Sequence, residues 1–407
     1  MNHDIDKGQV AMPGDAKFHN RQNMLRVIRT GKNLTAAEIH QVTGISRPTV
    51  MRFLQHLCQL GVIRSIGFGI STSSGGKKPE LFCFADQRKI LCVNLWPQSI
   101  TLALSGLVGG IYDLEQTPHA LSNDLDQNLA DVKSLSESYL KKRGLSIETI
   151  YGVVLTVPGT VDYGTQALRY NSQAPGWGTE VDLGQKLRNT LGSHLLCYID
   201  NAGKAAGRAL LLEHPEYEKR RLMTFFTTWG ISACLLDKGH VHNGRDSLIG
   251  EIGHMIISDS EQVVCGCGKC GCLESMVELH RIREKMYQMG EDEAVCRELT
   301  IPELFQKSAA GEERAQKMAE YLAHCFAVVL QNLALAYNQE AVIFQGDFSW
   351  ADEHFDACLK KELNQFRYFP RGRLFDIFYD RRDLTYLAAQ GAAGKFIEKH
   401  FEALAKE

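Results

Sequence analysis

No apolar leader precedes the first charged residues of this 407-residue sequence, and without one a secretory route is not expected. Long hydrophobic runs are missing too. The most apolar stretch, from Ala323 to Tyr337, is broken by Gln331 and Asn332 and falls short of the roughly 20 residues a bilayer requires. It reads as a buried helix, so no membrane insertion is expected. Net charge is slight, at −3, and the apolar fraction of 44% is that of an ordinary globular chain. Cysteine, by contrast, is plentiful. Twelve are spread along the length, and with no leader they indicate a reducing cytoplasm rather than a disulfide scaffold. At about 150 residues per domain, the length allows two or three folded units.

The small net charge conceals an imbalance. Between Ala16 and Ile90 there are twelve Lys/Arg and three acids, a net of +9, which leaves the rest of the chain acidic. A basic unit joined to an acidic body suggests a polyanion-binding module on a ligand-sensing one. Phe18 to Arg29 has a helical stripe with Phe18, Leu25 and Ile28 inward. Thr35-Ala-Ala-Glu38 is a capping box that starts a helix running to about Val42 and ending at Thr43-Gly44. Ser46 then caps a further helix with Pro48 in its first turn, and Val50, Phe53, Leu54 and Leu57 form one buried stripe. Two helices around a tight glycine turn make a helix-turn-helix. The outer face of the second carries Ser46, Arg47, Thr49, Arg52, Gln55 and His56, and its first residues are placed to enter a major groove of duplex DNA. Gly61 to Arg64 begins a strand, and STSSGGKKPELFCF makes a tip and a return strand whose Lys77 and Lys78 suit phosphate. A winged helix can serve protein contacts instead; the +9 and the basic wing favour DNA.

From Ile90 the pattern becomes α/β. Ile90–Leu95 and Ile100–Leu104 read as a hairpin, and Tyr151–Thr156, Leu195–Ile199, Leu222–Thr227 and Cys234–Leu236 as strands. A helix is expected over Lys204–Leu212, and Ala341–Phe344 and Leu374–Phe378 are late strands, each followed by a helix. The densest chemistry lies in Gly250–Ser275, where His254 precedes Cys265, Cys267, Cys270 and Cys272, with Glu251 and Glu274 on either side. Thiolate and imidazole are the ligands of structural zinc. On spacing alone, His254 with three cysteines and the four cysteines alone are both possible sets. Unliganded thiols in a Gly/Cys-rich turn are the alternative to any metal.

GEIGH followed by CGCGKCGCLE resembles the ROK family of repressors, open reading frames and sugar kinases, over residues 88 to 404 or so. GISRPTVMRFLQHLCQLGVI and GGKKPELFCF resemble the winged helix, wing and linker at the front of its repressors. The resemblance implies a winged helix-turn-helix over residues 16–85, then a two-lobed actin-like body over residues 88–404. It implies one structural zinc per chain, held by His254, Cys265, Cys267 and Cys272 in the loop 250–275, with Cys270 at a variable position. It also places Gln173, Asn201, Glu251, His254 and Glu274 around a sugar or sugar phosphate, although Glu251 and Glu274 can equally brace the zinc loop.

Against the family's kinases the chain departs in three places. The first phosphate cradle, D-x-G-x-T, is matched by Asn94-Leu95-Trp96-Pro97-Gln98. The second, rich in glycine, is matched by Thr228 to Cys234, with one glycine left. The aspartate that takes the sugar's proton is matched by Asn201, since the chain reads Asp200-Asn201, and Asn171 lies out of register with Gln173. A repressor-type regulator, dimeric or larger, that binds operator DNA and senses a carbohydrate without phosphorylating it is therefore expected; an ATP-dependent sugar kinase with an added DNA-binding domain is the rival.

Overall fold

The computed structural model describes residues 13–31, 33–69, 78–259, 261, 263–365 and 375–406. The chain divides into two compact units: Met1–Ile90 with Ser105–Gly110 and Phe396–Glu407, and Leu91–Leu104 with Ile111–Lys395.

In the first unit, α1 (Pro13–Thr30), β1 (Leu34–Thr35), α2 (Ala36–Thr43), α3 (Arg47–Gln59), β2 (Ile63–Phe68) and β3 (Glu80–Phe84) follow in order. The capping box forms as expected. Glu38 Oε2 accepts from the Thr35 amide at 2.7 Å, and Thr35 Oγ1 accepts from the Glu38 amide at 3.2 Å. Gly44, at φ 72°, ends α2 in the left-handed region that glycine tolerates. Val50, Phe53, Leu54 and Leu57 are all buried.

Three details differ from the sequence reading. The inward stripe of α1 is Met24, Leu25 and Ile28, while Phe18 is only half-buried. Ser46 holds the N-cap position of α3 but caps no amide: Pro48 removes one target N–H, and the Ser46 hydroxyl pairs with Thr49 Oγ1 at 2.9 Å. Finally β1, a two-residue strand too short to leave a pattern, pairs antiparallel with β3, giving a sheet in the order β1-β3-β2.

The second unit contains two sheets of one design. β4 (Lys89–Leu95), β5 (Ser99–Gly106) and β6 (Ile111–Pro118) are followed by α4 (Leu125–Lys141), β7 (Ile150–Val157), the small strands β8 (Thr160–Val161) and β9 (Leu168–Tyr170), α5 (Leu183–Leu191), β10 (Leu196–Asn201) and α6 (Ala202–Glu213). Then come β11 (Arg221–Thr227), β12 (Ile231–Asp237), β13 (His240–His242), α7 (Leu273–Val277), α8 (Leu279–Gln288), α9 (Glu293–Glu298), α10 (Ile301–Ala309), α11 (Glu313–Tyr337), β14 (Ala341–Gly346), α12 (Glu353–Asn364), β15 (Asp376–Asp380) and α13 (Leu384–Lys406). The sheet orders are β10-β7-β4-β5-β6 and β13-β12-β11-β14-β15. In each, three strands run on as neighbours and two later ones are added on the first strand's other side, parallel where helices make the crossovers (β7 with β10, β11 with β14, β14 with β15).

α11 is longer than the apolar run suggested. By length and composition its 25 residues suffice to cross a bilayer, which corrects the expectation that it is too short. It is a core helix nonetheless. Met318, Leu322, Phe326 and Leu330 are buried, and Phe326 meets Phe344 at 5.3 Å and Phe348 at 4.7 Å, both edge-on. Each such ring contributes about 1.5–3 kcal/mol by leaving water.

Candidate functional site

The outer face of α3 carries Ser46, Arg47, Arg52 and Gln55 exposed, with Thr49 and His56 half-buried. Lys78 at the base of the wing is exposed; Lys77 lies outside the described residues. Two exposed guanidinium groups in the first half of α3 form a cationic surface that base edges or phosphates can meet.

In the second unit a hairpin brings four soft donors together. His254 Nδ1 lies 3.5 Å from Cys265 Sγ, Cys267 Sγ lies 3.7 Å from Cys272 Sγ, and all four donor atoms lie within 4.8 Å of one another. Metal–sulfur bonds of about 2.3 Å in a tetrahedron set sulfur–sulfur edges of about 3.8 Å, and imidazole–sulfur edges of about 3.6 Å. The donor set therefore fits a tetrahedral zinc. Cys270 falls outside this group and forms a bridge with Val264 across the hairpin. The backbone is built for the close turn: Cys265 N donates to Lys269 O at 2.8 Å, and Gly271, at φ 70°, passes so near that a Cβ would stand 1.8 Å from the Ser258 carbonyl oxygen. Burial first, and then the neighbouring Cys267 and Cys265 thiols, push the Cys272 thiol up to about 12.

Beside the hairpin opens a cleft of about 440 Å³. Gln173, Asn201, Glu251, His254 and Glu274 all line it, and so do Cys267 and Asn171. Burial, partly offset by the Lys204 ammonium, raises the Glu251 carboxyl above its ordinary range. Glu274 accepts from the Ile231 amide at 2.7 Å, and Gln173 Nε2 donates to the Trp229 carbonyl. Asn201 starts α6: its Oδ1 accepts from Lys204 N at 3.1 Å and its Nδ2 donates to Gly159 O at 2.8 Å. Asp200 turns the other way. Fully buried, it accepts from the Tyr163 hydroxyl at 2.7 Å and pairs with Arg208.

Two residues that the sequence reading passed over stand out. Asn171 is buried in the cleft wall; its Oδ1 accepts from Gln173 N at 3.0 Å and its Nδ2 makes no hydrogen bond. Lys204, also buried, donates to Ser247 O at 3.0 Å beside Glu251. A lysine within the small apolar run Ala202–Ala206 was the available signal, because such an ammonium needs a partner.

In the cleft wall stands an aromatic cluster. Trp96, 2% exposed, stacks on Phe226 with centroids 6.0 Å apart and planes at 7°, and Trp229 leans on it at 5.0 Å. Behind Trp229 a second chamber of about 610 Å³ shares Gln173, Trp229, Gly230, Ile231 and Glu274 with the first. Its charged lining residues, Glu274, Glu278 and Asp347, are all acids.

Comparison with known proteins follows the same division of the chain. The ROK family model matches residues 90–393, and an IclR helix-turn-helix domain model matches residues 23–67. The xylose repressor of Caldicellulosiruptor bescii is 24% identical over 357 residues, covering 85% of this chain and 87% of its own. A glucokinase of Halalkalibacterium halodurans is 24% identical over 298 residues, covering 70% and 87% respectively. Among solved structures, a ROK family transcriptional regulator homologous to the E. coli MLC protein superposes with a TM-score of 0.79 at 17% identity, covering 96% of this chain and 99% of that one. With the family model spanning most of the sequence and a helix-turn-helix set before it, the protein belongs to the ROK family, in its repressor branch.

Proposed function

We propose that this ROK protein is a transcriptional repressor that grips an operator through residues 16–85 and senses a carbohydrate through residues 88–404, without phosphorylating it. The observation that carries this reading is the aromatic cluster of Trp96, Phe226 and Trp229 in the place of a phosphate cradle. Phosphoryl transfer is almost wholly positioning and charge stabilisation. A stacked indole and an acid-lined chamber supply neither, and the carboxylate nearest Asn201 is turned away into an ion pair with Arg208.

At the DNA, Arg47, Arg52 and Gln55 would read base edges, while Ser46, Thr49, Lys78 and Lys77 hold phosphates. In the cleft, sugar hydroxyls donate to Glu251 and Glu274, and Asn201, Gln173 and His254 fix their orientation. His254, Cys265, Cys267 and Cys272 would hold one structural zinc, which supplies a cross-link that keeps the hairpin beside the cleft. None of the twelve cysteines forms a disulfide among the described residues, which is compatible with a cytoplasmic setting. A dimer follows from the paired half-sites that helix-turn-helix proteins read. Ligand acts by preferring one of two states, which lowers operator affinity.

A kinase reading draws on the likeness to a glucokinase. The test pairs two measurements on the full chain. Fluorescence anisotropy on duplexes selected from a random pool should give salt-dependent, sequence-specific binding that a carbohydrate relieves. A coupled ADP-release assay over hexoses and amino sugars should give nothing above background. Turnover that Asn201→Ala abolishes would replace the proposal with the kinase.

A further inference from the structure

This inference rests on the carbohydrate reading of the cleft and narrows it. Trp229 is 36% exposed and held at φ 53°, a left-handed conformation that a bulky residue adopts only when its surroundings impose it. The imposition is visible. Gln173 holds the Trp229 carbonyl on one side, and Glu274 holds the Ile231 amide on the other. The backbone that carries the indole is thus held in place, and Trp229 lines both the 440 Å³ chamber and the 610 Å³ chamber. The first alone falls within the span of about 300–1,000 Å³ that holds drug-sized ligands, and that exceeds the needs of one pyranose.

Charge decides the rest. The first chamber's one lysine or arginine, Arg169, is already paired with Asp162 at 2.5 Å and Glu180 at 3.2 Å. The second has none among the described residues. A phosphorylated sugar would bring a dianion to carboxylates. Three buried donors of wall residues, Asn171 Nδ2, Trp96 Nε1 and Arg169 Nε, have no hydrogen-bond partner among the described residues, and the first two, being uncharged, suit a neutral ether or hydroxyl oxygen. The tryptophans suit the apolar face of a ring.

We propose that the ligand is a neutral, two-ring glycoside: a sugar held by Glu251 and Glu274, linked to a second ring, pyranose or aryl, that packs on Trp229. No bond is made or broken; the site binds.

The test titrates the full-length protein by calorimetry and by tryptophan fluorescence with three matched probes for each of several common sugars. These are the free monosaccharide, its terminal phosphate, and its β-linked p-nitrophenyl glycoside or disaccharide. For the sugar that fits, the two-ring probe should bind at least about tenfold more tightly than the monosaccharide, with quenching of indole emission, and the phosphate should not compete. Trp229→Phe should keep that advantage, and Trp229→Ala should reduce it to about threefold or less while zinc content and DNA binding persist. A phosphate that binds more tightly than its parent sugar, or an advantage untouched by Trp229→Ala, overturns the inference and leaves carbohydrate sensing intact. If no probe binds, the carbohydrate reading falls and this inference with it.

Discussion

Serine at Cys270, which belongs to only one of the two ligand sets that the sequence allowed, separates them, and serine at Cys272 tests the metal site as a whole. Cys272 is fully buried, and its sulfur lies 3.7 Å from that of Cys267 in the four-donor group. Structural zinc contributes about 10–16 kcal/mol in small folds, so one of four ligands is worth at least roughly 2.5–4 kcal/mol, and more when the ion leaves with it. The serine adds a buried hydroxyl without a metal bond, costing about 1–3 kcal/mol more. A total near 5 kcal/mol is a large part of the roughly 5–15 kcal/mol that stabilises a domain. We expect Cys272→Ser to lose its metal on dialysis and to unfold at a clearly lower urea concentration. Cys270→Ser, half-buried and outside the group, should keep one equivalent of zinc and an unchanged midpoint. Metal analysis by mass spectrometry with urea titration followed by circular dichroism gives both readouts. Retained zinc and an unshifted midpoint in Cys272→Ser would refute the ligand set.

Three other outcomes are expected. Arg47→Ala should weaken operator binding by about 1–3 kcal/mol and leave random duplex nearly unaffected; equal losses on both would make Arg47 a phosphate contact. Asp200→Ala should cost about 3–5 kcal/mol in urea unfolding, since it strips the carboxylate from a pair whose side chains are 0% and 5% exposed. A loss below about 1 kcal/mol would mean that the pair is not held in solution. Burial, with the Arg88 charge and against that of Asp86, pushes the His400 imidazole down to about 4 from 6.5. The unfolded chain therefore binds the proton first, so up to about 3 kcal/mol of stability present above pH 6.5 should drain away between pH 6.5 and 4. His400→Gln should flatten that slope, and an unchanged slope would count against it.

Much of this was legible because it is local. The capping box, the Gly44 stop and the α3 stripe each rest on residues a few positions apart, and the hairpin's ligand spacing lies within one loop. The exchange of Asp200 and Asn201 could also be read from order alone, because consecutive strand residues face opposite ways. What stayed hidden depended on distant partners. Asn171 read as out of register, yet the turn around Gln173 puts both amides in the wall. β1 needed β3, some forty-five residues on, to be a strand. Trp96 read as a lost glycine, and Trp229 as part of a cradle with one glycine left. That they meet at 5.0 Å to form one partition depends on packing between sheets, which no periodicity records.

His254 turns its Nδ1 toward Cys265 while its ring also borders the cleft. A neutral imidazole has one lone pair to give, so a cation on that nitrogen commits the proton to the other. The cavity then meets a hydrogen-bond donor among acceptors, and the polarity of its ring of contacts is set from outside it. Stripped of its ion, the imidazole would be free to reverse, and the chain would lose discrimination before it lost shape.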